Sequence, residues 1–155
     1  MLLKYPCLEI RLAQAQDIDA WMELVERVKD SFPGLETQEA LNAHKTTVLH
    51  FIKNTSAICA VKENHIVGTL LFSREDGVLC FLAVDPAHRR QHIAQQMISF
   101  MLTQMDAHKD ITVSTYREGD PNGIAARALY KSLGFSAGKL TKEFDYPVQE
   151  FVLKR

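Results

Sequence analysis

The sequence predicts an α/β fold, a mixed and mostly antiparallel central sheet with helices on both faces. Three observations predict it. Stretches of strand and helix periodicity follow one another in the order β-α-α-β-β-β-α-β-α-β-β. Val78–Val84 is apolar throughout, as a central strand covered on both faces would be. The strand-helix-strand passage in the middle of the chain forms one right-handed crossover, whereas the short turns elsewhere make antiparallel hairpins. With 155 residues, 46% of them hydrophobic, the chain reads as one domain, 1–155, large enough to bury a real core.

Cys7 to Leu12 alternates apolar and polar residues and reads as the first strand. From about Ala15 apolar residues recur at helical spacing (Ile18, Trp21, Met22, Val25, Val28), with Asp17 and Asp19 favouring the helix start. Ser31-Phe32-Pro33-Gly34 ends that helix. Thr37 begins a second one, with Leu41, Val48, Leu49 and Ile52 as its apolar side, and Asn54 closes it. Ala57 to Lys62 and Ile66 to Ser73 are strands around a turn at Glu63-Asn64-His65, and Arg74-Glu75-Asp76-Gly77 turns the chain into Val78–Val84. A helix follows, with Ile93, Met97, Met101 and Met105 on one side. Then come a strand at Ile111 to Thr115, a loop at Gly119–Gly123, and a short helix from Ala125 to Leu133 stopped by Gly134. Phe135 onward and Glu150 to Lys154 form two last strands around a turn at Asp145-Tyr146-Pro147, with an edge near Glu150–Lys154 open to a second copy, a possible homodimer.

Composition excludes several classes. A net charge of −1 with both signs interspersed leaves no electrostatic footprint for nucleic acid and no polybasic segment for a membrane surface. No apolar run approaches the ~20 residues that span a bilayer. Met1–Pro6 lacks the apolar core of a signal peptide. Three widely spaced cysteines suit a reducing compartment, and a cytoplasmic protein is expected. Cys80, mid-strand in an apolar run, reads as a small buried residue and not as a nucleophile. The six histidines show no metal-ligand spacing, so no metal is expected.

The segment after the apolar strand carries the functional signal. Asp85-Pro86 turns the chain, and His88, Arg89, Arg90 and His92 crowd the start of the next helix. A helix N-terminus carries partial positive charge and unpaired N–H groups, so cations there are misplaced unless an anion sits among them. A phosphate bound by the helix-start amides satisfies that arrangement; a solvated basic turn is the plainer alternative.

Two segments carry a family resemblance. Arg89-Arg90-Gln91-His92-Ile93-Ala94 resembles the Arg/Gln-x-x-Gly-x-Gly/Ala signature of the GNAT superfamily of acetyl-CoA-dependent N-acetyltransferases, with His92 in place of the first glycine. Ala126-Arg127-Ala128-Leu129-Tyr130-Lys131-Ser132-Leu133-Gly134-Phe135 resembles that family's Ala-x-x-Leu-Tyr-x-x-x-Gly-Phe helix and cap. Gly123 stands where an asparagine is frequent, and Asn122 one place earlier. Other segments, Asp30–Leu35 and Ser114–Asp120, resemble a bacterial branch of the superfamily. The resemblance covers essentially the whole chain.

It implies the GNAT fold and acetyl transfer from acetyl-CoA, the cosubstrate, to an amine of a small molecule or peptide by direct attack in a ternary complex. Backbone groups of Leu82, Ala83 and Val84 would meet the pantetheine arm. Arg89, Arg90, Gln91, His92, Ile93, Ala94 and Gln95 would hold the pyrophosphate, and Asn122, Gly123 and Ala126 would flank the arm. Tyr130 would protonate the leaving thiolate; read from pattern alone it is a core-edge aromatic. The general base is open among Glu118, Glu75, Asp120 and Glu143, with Glu118 put first, because the central strand carries no acid. Trp21, Phe32, Phe144, Asp145 and Tyr146 with Glu23, Glu26 and Asp30 mark the expected acceptor region. Trp21 and Phe32 read equally as core and loop anchors. A non-enzymatic acyl-CoA sensor on the same fold is the alternative.

Overall fold

A computed structural model describes residues 7–155. Met1–Pro6, the segment bearing on a signal peptide, lies outside them. The elements are β1 (Glu9–Leu12), α1 (Ile18–Val28), α2 (Gln38–Lys53), β2 (Ala57–Lys62), β3 (His65–Ser73), β4 (Val78–Val84), α3 (Ile93–Thr103), β5 (Ile111–Tyr116), α4 (Ile124–Ser132), β6 (Ser136–Glu143) and β7 (Tyr146–Leu153). They build a seven-stranded sheet in the order β1-β2-β3-β4-β5-β7-β6. Every neighbouring pair is antiparallel except β4 and β5, the parallel pair joined through α3. The expected mixed sheet and element order are both present.

Strand alternation sends apolar residues to both faces, and a helical layer covers each. Ala57, Cys59 and Leu71 face the layer of α1 and α2, where Trp21, Leu24, Val25 and Val48 are fully buried. Ile58, Ala60, Leu70 and Phe72 face Met97, Ile98 and Met101 of α3 and Tyr130 of α4. Each fully buried aliphatic or aromatic side chain contributes roughly 1.5–3 kcal/mol, so the two layers carry the stability. Gly68 lets α3 lie directly on β3, because a Cβ there would sit 2.8 Å from Met97 Cε. Local signals hold the ends. Thr37 Oγ1 accepts the Ala40 N–H at 3.0 Å at the start of α2. Asp17 accepts the Gln14 N–H at 2.7 Å ahead of α1 and takes a bidentate Arg11.

Five expectations are corrected. Val78–Val84 is not covered on both faces; β3, buried from Ile66 to Phe72, is the strand that is. Cys80 is exposed, not buried. The last hairpin turns at Phe144-Asp145, with Tyr146 and Pro147 already in β7, because both turn residues take positive φ (51° and 63°) as a tight two-residue hairpin requires. Glu150–Lys154 is no edge: β7 runs between β5 and β6, and β6 is the outer strand. The first strand is also shorter than expected, with Cys7 and Leu8 outside it. Among the described residues, no helix is long and apolar enough to cross a membrane, and no group of His, Cys, Asp or Glu could hold a metal ion.

Candidate functional site

β4 and β5 pair at one position only, Val78 with Thr112, and then diverge. The cause lies in β4. Leu71 pairs with Phe81 and Phe72 with Leu79, so Cys80 is an extra residue bulged out of the ladder with β3. A bulge bends its strand and sharpens the twist. The edge of β4 beyond Val78 therefore faces β5 without a strand to pair with, and its backbone groups need another partner. A cavity of about 370 Å³ fills the splay. Leu82, Ala83 and Val84 line one side and Ser114, Thr115 and Tyr116 the other. Val28, Ser31 and Phe32 contribute from the end of α1, and Ala126 and Tyr130 from α4. The cavity lies toward the carboxyl ends of two parallel strands, where open α/β sheets place their ligands.

A second hollow of about 450 Å³ continues from it past Val84, Arg89 and Ala126. His88, Arg90, His92, Ile93, Ala94 and Gln95 line it. Asp85 sets the turn leading there: it accepts the Ala87 N–H at 3.0 Å and a 2.9 Å bond from Arg27 of α1. Burial opposes its charge, but the Ala87 amide and Arg27 outweigh it and hold the carboxyl below its ordinary range. Arg90 and His92 both take left-handed φ, 64° and 59°, and α3 opens at Ile93 with no acid in its first turn. The left-handed φ at His92 is the conformation glycine adopts most cheaply, which accounts physically for a glycine there. The cations and the free helix-start amides thus share one hollow.

Tyr130 stands on the last turn of α4. Phe135 N–H bonds Tyr130 O at 3.0 Å and Gly134 N–H bonds Lys131 O at 3.1 Å, the paired reverse bonds of a glycine helix stop, with Gly134 at φ 96°. The Phe135 ring packs on Tyr130 at 5.6 Å. Burial alone raises the Tyr130 hydroxyl above the ordinary tyrosine value, so it keeps its proton at neutral pH. Arg127, buried with 8% exposure, ties α4 to the sheet. It donates to Tyr116 O at 3.1 Å and Gln149 Oε1 at 2.8 Å and lies 4.9 Å over the Phe151 ring.

Several expected site residues fall elsewhere. Gln91 lines neither hollow, and its Oε1 accepts from Lys62 at 2.9 Å. Gly123 is packed against Tyr116, where a Cβ would meet Tyr116 Cβ at 2.8 Å, so no side chain fits; Asn122 lines the cleft instead. Glu118 sits exposed after β5 and Glu75 lies in the β3–β4 turn beside Lys109, away from the splay; neither lines the cleft. Asp120 accepts from Tyr146 at 2.7 Å, which holds its carboxyl below the ordinary range. Trp21 is wholly core, whereas Phe32 faces the cleft and stacks on Phe81 at 4.6 Å.

The sequence offered no signal for Cys80, since a continuous apolar run hides a bulge. Its thiol opens onto the cleft. Partial desolvation by the cleft walls, with the charges of Asp76 and Glu143, pushes it up to about 11, so it is a protonated thiol and not a nucleophile. Tyr116 gains a role no pattern showed. Its hydroxyl donates to Ser31 O and its ring meets Tyr146 edge-on at 5.2 Å, fastening the end of α1 to β5.

The family model described as "Acetyltransferase (GNAT) family" matches residues 21–135. No curated protein sequence matches the chain. Among solved structures, a GNAT-family acetyltransferase from Bacillus cereus ATCC 10987 superposes with a TM-score of 0.76 at 19% identity, over 96% of this chain and 98% of that one. The PaiA N-acetyltransferase of Thermoplasma acidophilum, in complex with coenzyme A, gives 0.68 at 15% identity over 96% and 99%. YncA of Salmonella typhimurium, with acetyl-CoA, gives 0.72 at 13% identity over 95% and 93%. At these identities the likeness is one of fold.

Proposed function

This chain belongs to the GNAT family of acetyltransferases, and from that premise we propose that it moves an acetyl group from acetyl-CoA to a primary amine by direct attack in a ternary complex. The observation that carries the proposal is the splay of β4 from β5, continuous with the cation-lined start of α3. A pantetheine arm carries amide groups, and the unpaired edge of β4 at Leu82, Ala83 and Val84 offers the complementary donors and acceptors. The pyrophosphate meets the amides of Ile93, Ala94 and Gln95, with Arg89 and Arg90 neutralising its charge. Asn122 and Ala126 flank the arm where the two hollows join.

Acetyl transfer requires a held thioester, a neutral amine and a proton for the departing sulfur. A backbone N–H aimed at the carbonyl oxygen as it becomes an oxyanion contributes roughly 3 kcal/mol. Tyr130, protonated and lining the cleft, hands its proton to the thiolate of coenzyme A. None of the cleft-lining residues is a carboxylate, so the amine loses its proton to water or to a carboxylate beyond the cleft. That same observation favours the second reading, a sensor that binds acetyl-CoA without transfer. We place the protein in the cytoplasm, where acetyl-CoA is made and thiols stay reduced.

Amine-dependent thiol release from acetyl-CoA separates the readings. Release with any amine of a panel of polyamines, aminoglycosides, amino acids and peptides supports the enzyme. A rise in melting temperature with acetyl-CoA but no release supports the sensor, and neither effect rejects acetyl-CoA as the ligand.

A further inference from the structure

The three segments not absorbed by cosubstrate binding, Ser31–Gly34, Ser114–Asp120 and the last hairpin, converge on one small pocket beside the cleft. It measures about 100 Å³ and is lined by Phe32, Pro33, Tyr116, Glu143, Phe144 and Val148. It shares Phe32, Ser114, Thr115 and Tyr116 with the cleft, so the two are neighbours across one wall. The contact of Tyr116 with Ser31 O fixes that wall.

Two features of the pocket bear on its occupant. Phe144 occupies a hairpin-turn position with φ 51°, a site suited to glycine or asparagine, and is 79% exposed. Its ring nevertheless stands in a defined place, over Gly34, where an added Cβ would lie 3.1 Å from three of its carbons. Glu143 is exposed and makes no ion pair among the described residues, so its charge is free to meet a ligand, and that charge bears on the Cys80 thiol lining the cleft. A carboxylate among aromatic rings is the arrangement that holds an alkylammonium, through the ring faces and the opposite charge together.

Resting on the acetyltransferase reading, we infer that this pocket receives the second cation of the acceptor, which is a linear α,ω-diamine. One nitrogen lies in the cleft as the nucleophile. The other is held by Glu143 between Phe32 and Phe144, and the chain between them passes the wall at Tyr116. In the reaction the nucleophilic nitrogen forms the amide bond as the thioester C–S bond breaks. The ammonium at the far end exchanges nothing.

The test is thiol release with a homologous series of linear α,ω-diamines against n-alkyl monoamines of matched length, alongside melting curves with coenzyme A and each amine. The expected result is a kcat/KM about tenfold or more higher for the best diamine than for its monoamine. It should show a clear optimum of length and weaken as salt rises. In Glu143→Gln the diamine-to-monoamine ratio collapses toward one through KM, and the extra melting shift given by the diamine is lost. Phe144→Leu lowers the same ratio and, lying on an exposed turn, keeps the fold. Transfer to monoamines as efficient as to diamines overturns the diamine assignment and leaves the acetyltransferase standing, as does a ratio unchanged in Glu143→Gln. If acetyl-CoA itself gives neither melting shift nor release, it is the acetyltransferase reading that falls. If acetyl-CoA binds and no amine reacts, the diamine melting shift decides: its loss in Glu143→Gln supports the pocket, and no shift overturns it.

Discussion

Tyr130 combines two properties that rarely coincide. It is among the core residues that bury α4 against the sheet, and it also lines the cleft. A general acid contributes about 10²–10⁴ in rate. Tyr130→Phe keeps the packing and removes only the hydroxyl, so kcat should fall about 10²-fold or more while acetyl-CoA affinity moves by less than about threefold. Titrating acetyl-CoA by melting shift beside the kinetics separates the two, and an unchanged kcat removes Tyr130 as the acid. His92 tests the backbone instead. A left-handed residue other than glycine costs roughly 1–2 kcal/mol. Glycine relieves that cost but loses about as much through the freedom it gives the unfolded chain. His92→Gly should therefore leave the melting temperature nearly unchanged, whereas His92→Val, β-branched at φ 59°, should lower it by about 2–4 °C or more. Equal melting temperatures for the two variants would reject a strained α3 entry.

Two elements make the site, and each depends on an interruption in regular structure. β4 opens the cleft because Cys80 is one residue too many for its ladder with β3. α4 presents Tyr130 because Gly134 ends the helix and folds Phe135 back over it. A Cβ at Gly134 would find room, 3.5 Å from Leu153, so the cost of Gly134→Ala lies in the φ of 96° and not in a clash. That substitution should destabilise by about 1 kcal/mol or more, about 2–4 °C in melting temperature. Since the stop also sets Tyr130, kcat should drop more than acetyl-CoA binding does. A variant as stable and as active as the parent would show that α4 ends there without its glycine.

Over the whole molecule, the buried titratable groups fix a pH window. Burial lowers His44 from its ordinary 6.5, so the unfolded chain binds the extra proton. Its contribution is complete above about 6.5 and is lost as pH falls below that value. Asp17 follows at lower pH. The Arg11 hydrogen bond depresses it below 3.8, so its contribution is complete above that value and is lost beneath it. On the alkaline side burial lifts Cys59 to about 12, against an ordinary 9.0. The raised thiol favours folding below 9.0 and loses that advantage as pH climbs from there toward its folded value. Melting temperature should hold level from about pH 7 to about pH 9 and fall on both sides. His44→Leu should flatten the stretch between about pH 5 and 6.5, where carboxylates do not yet protonate. An unchanged acid limb in that variant would place the titrating group elsewhere.

Element order, both helix-covered faces and most boundaries were legible in the sequence because they follow from local causes. Apolar spacing sets which face of α1 or α3 is buried, Thr37 and Gly134 mark helix ends by their own geometry, and the cations at Arg89 and Arg90 stand ahead of α3, where they line a hollow. The outcome differed wherever the cause was a neighbour distant in sequence. Nothing local in Val78–Val84 reveals that β3 accepts it only with a bulge, so Cys80 was placed in the core when it opens onto the cleft. Nothing local in Glu150–Lys154 reveals that β7 slips between β5 and β6, which turns an expected edge into an interior strand. Phe32, Tyr116, Glu143 and Phe144 come from four separate stretches of chain. Their union into one pocket is decided by tertiary packing alone, because side-chain type is written residue by residue while proximity belongs to the folded sheet.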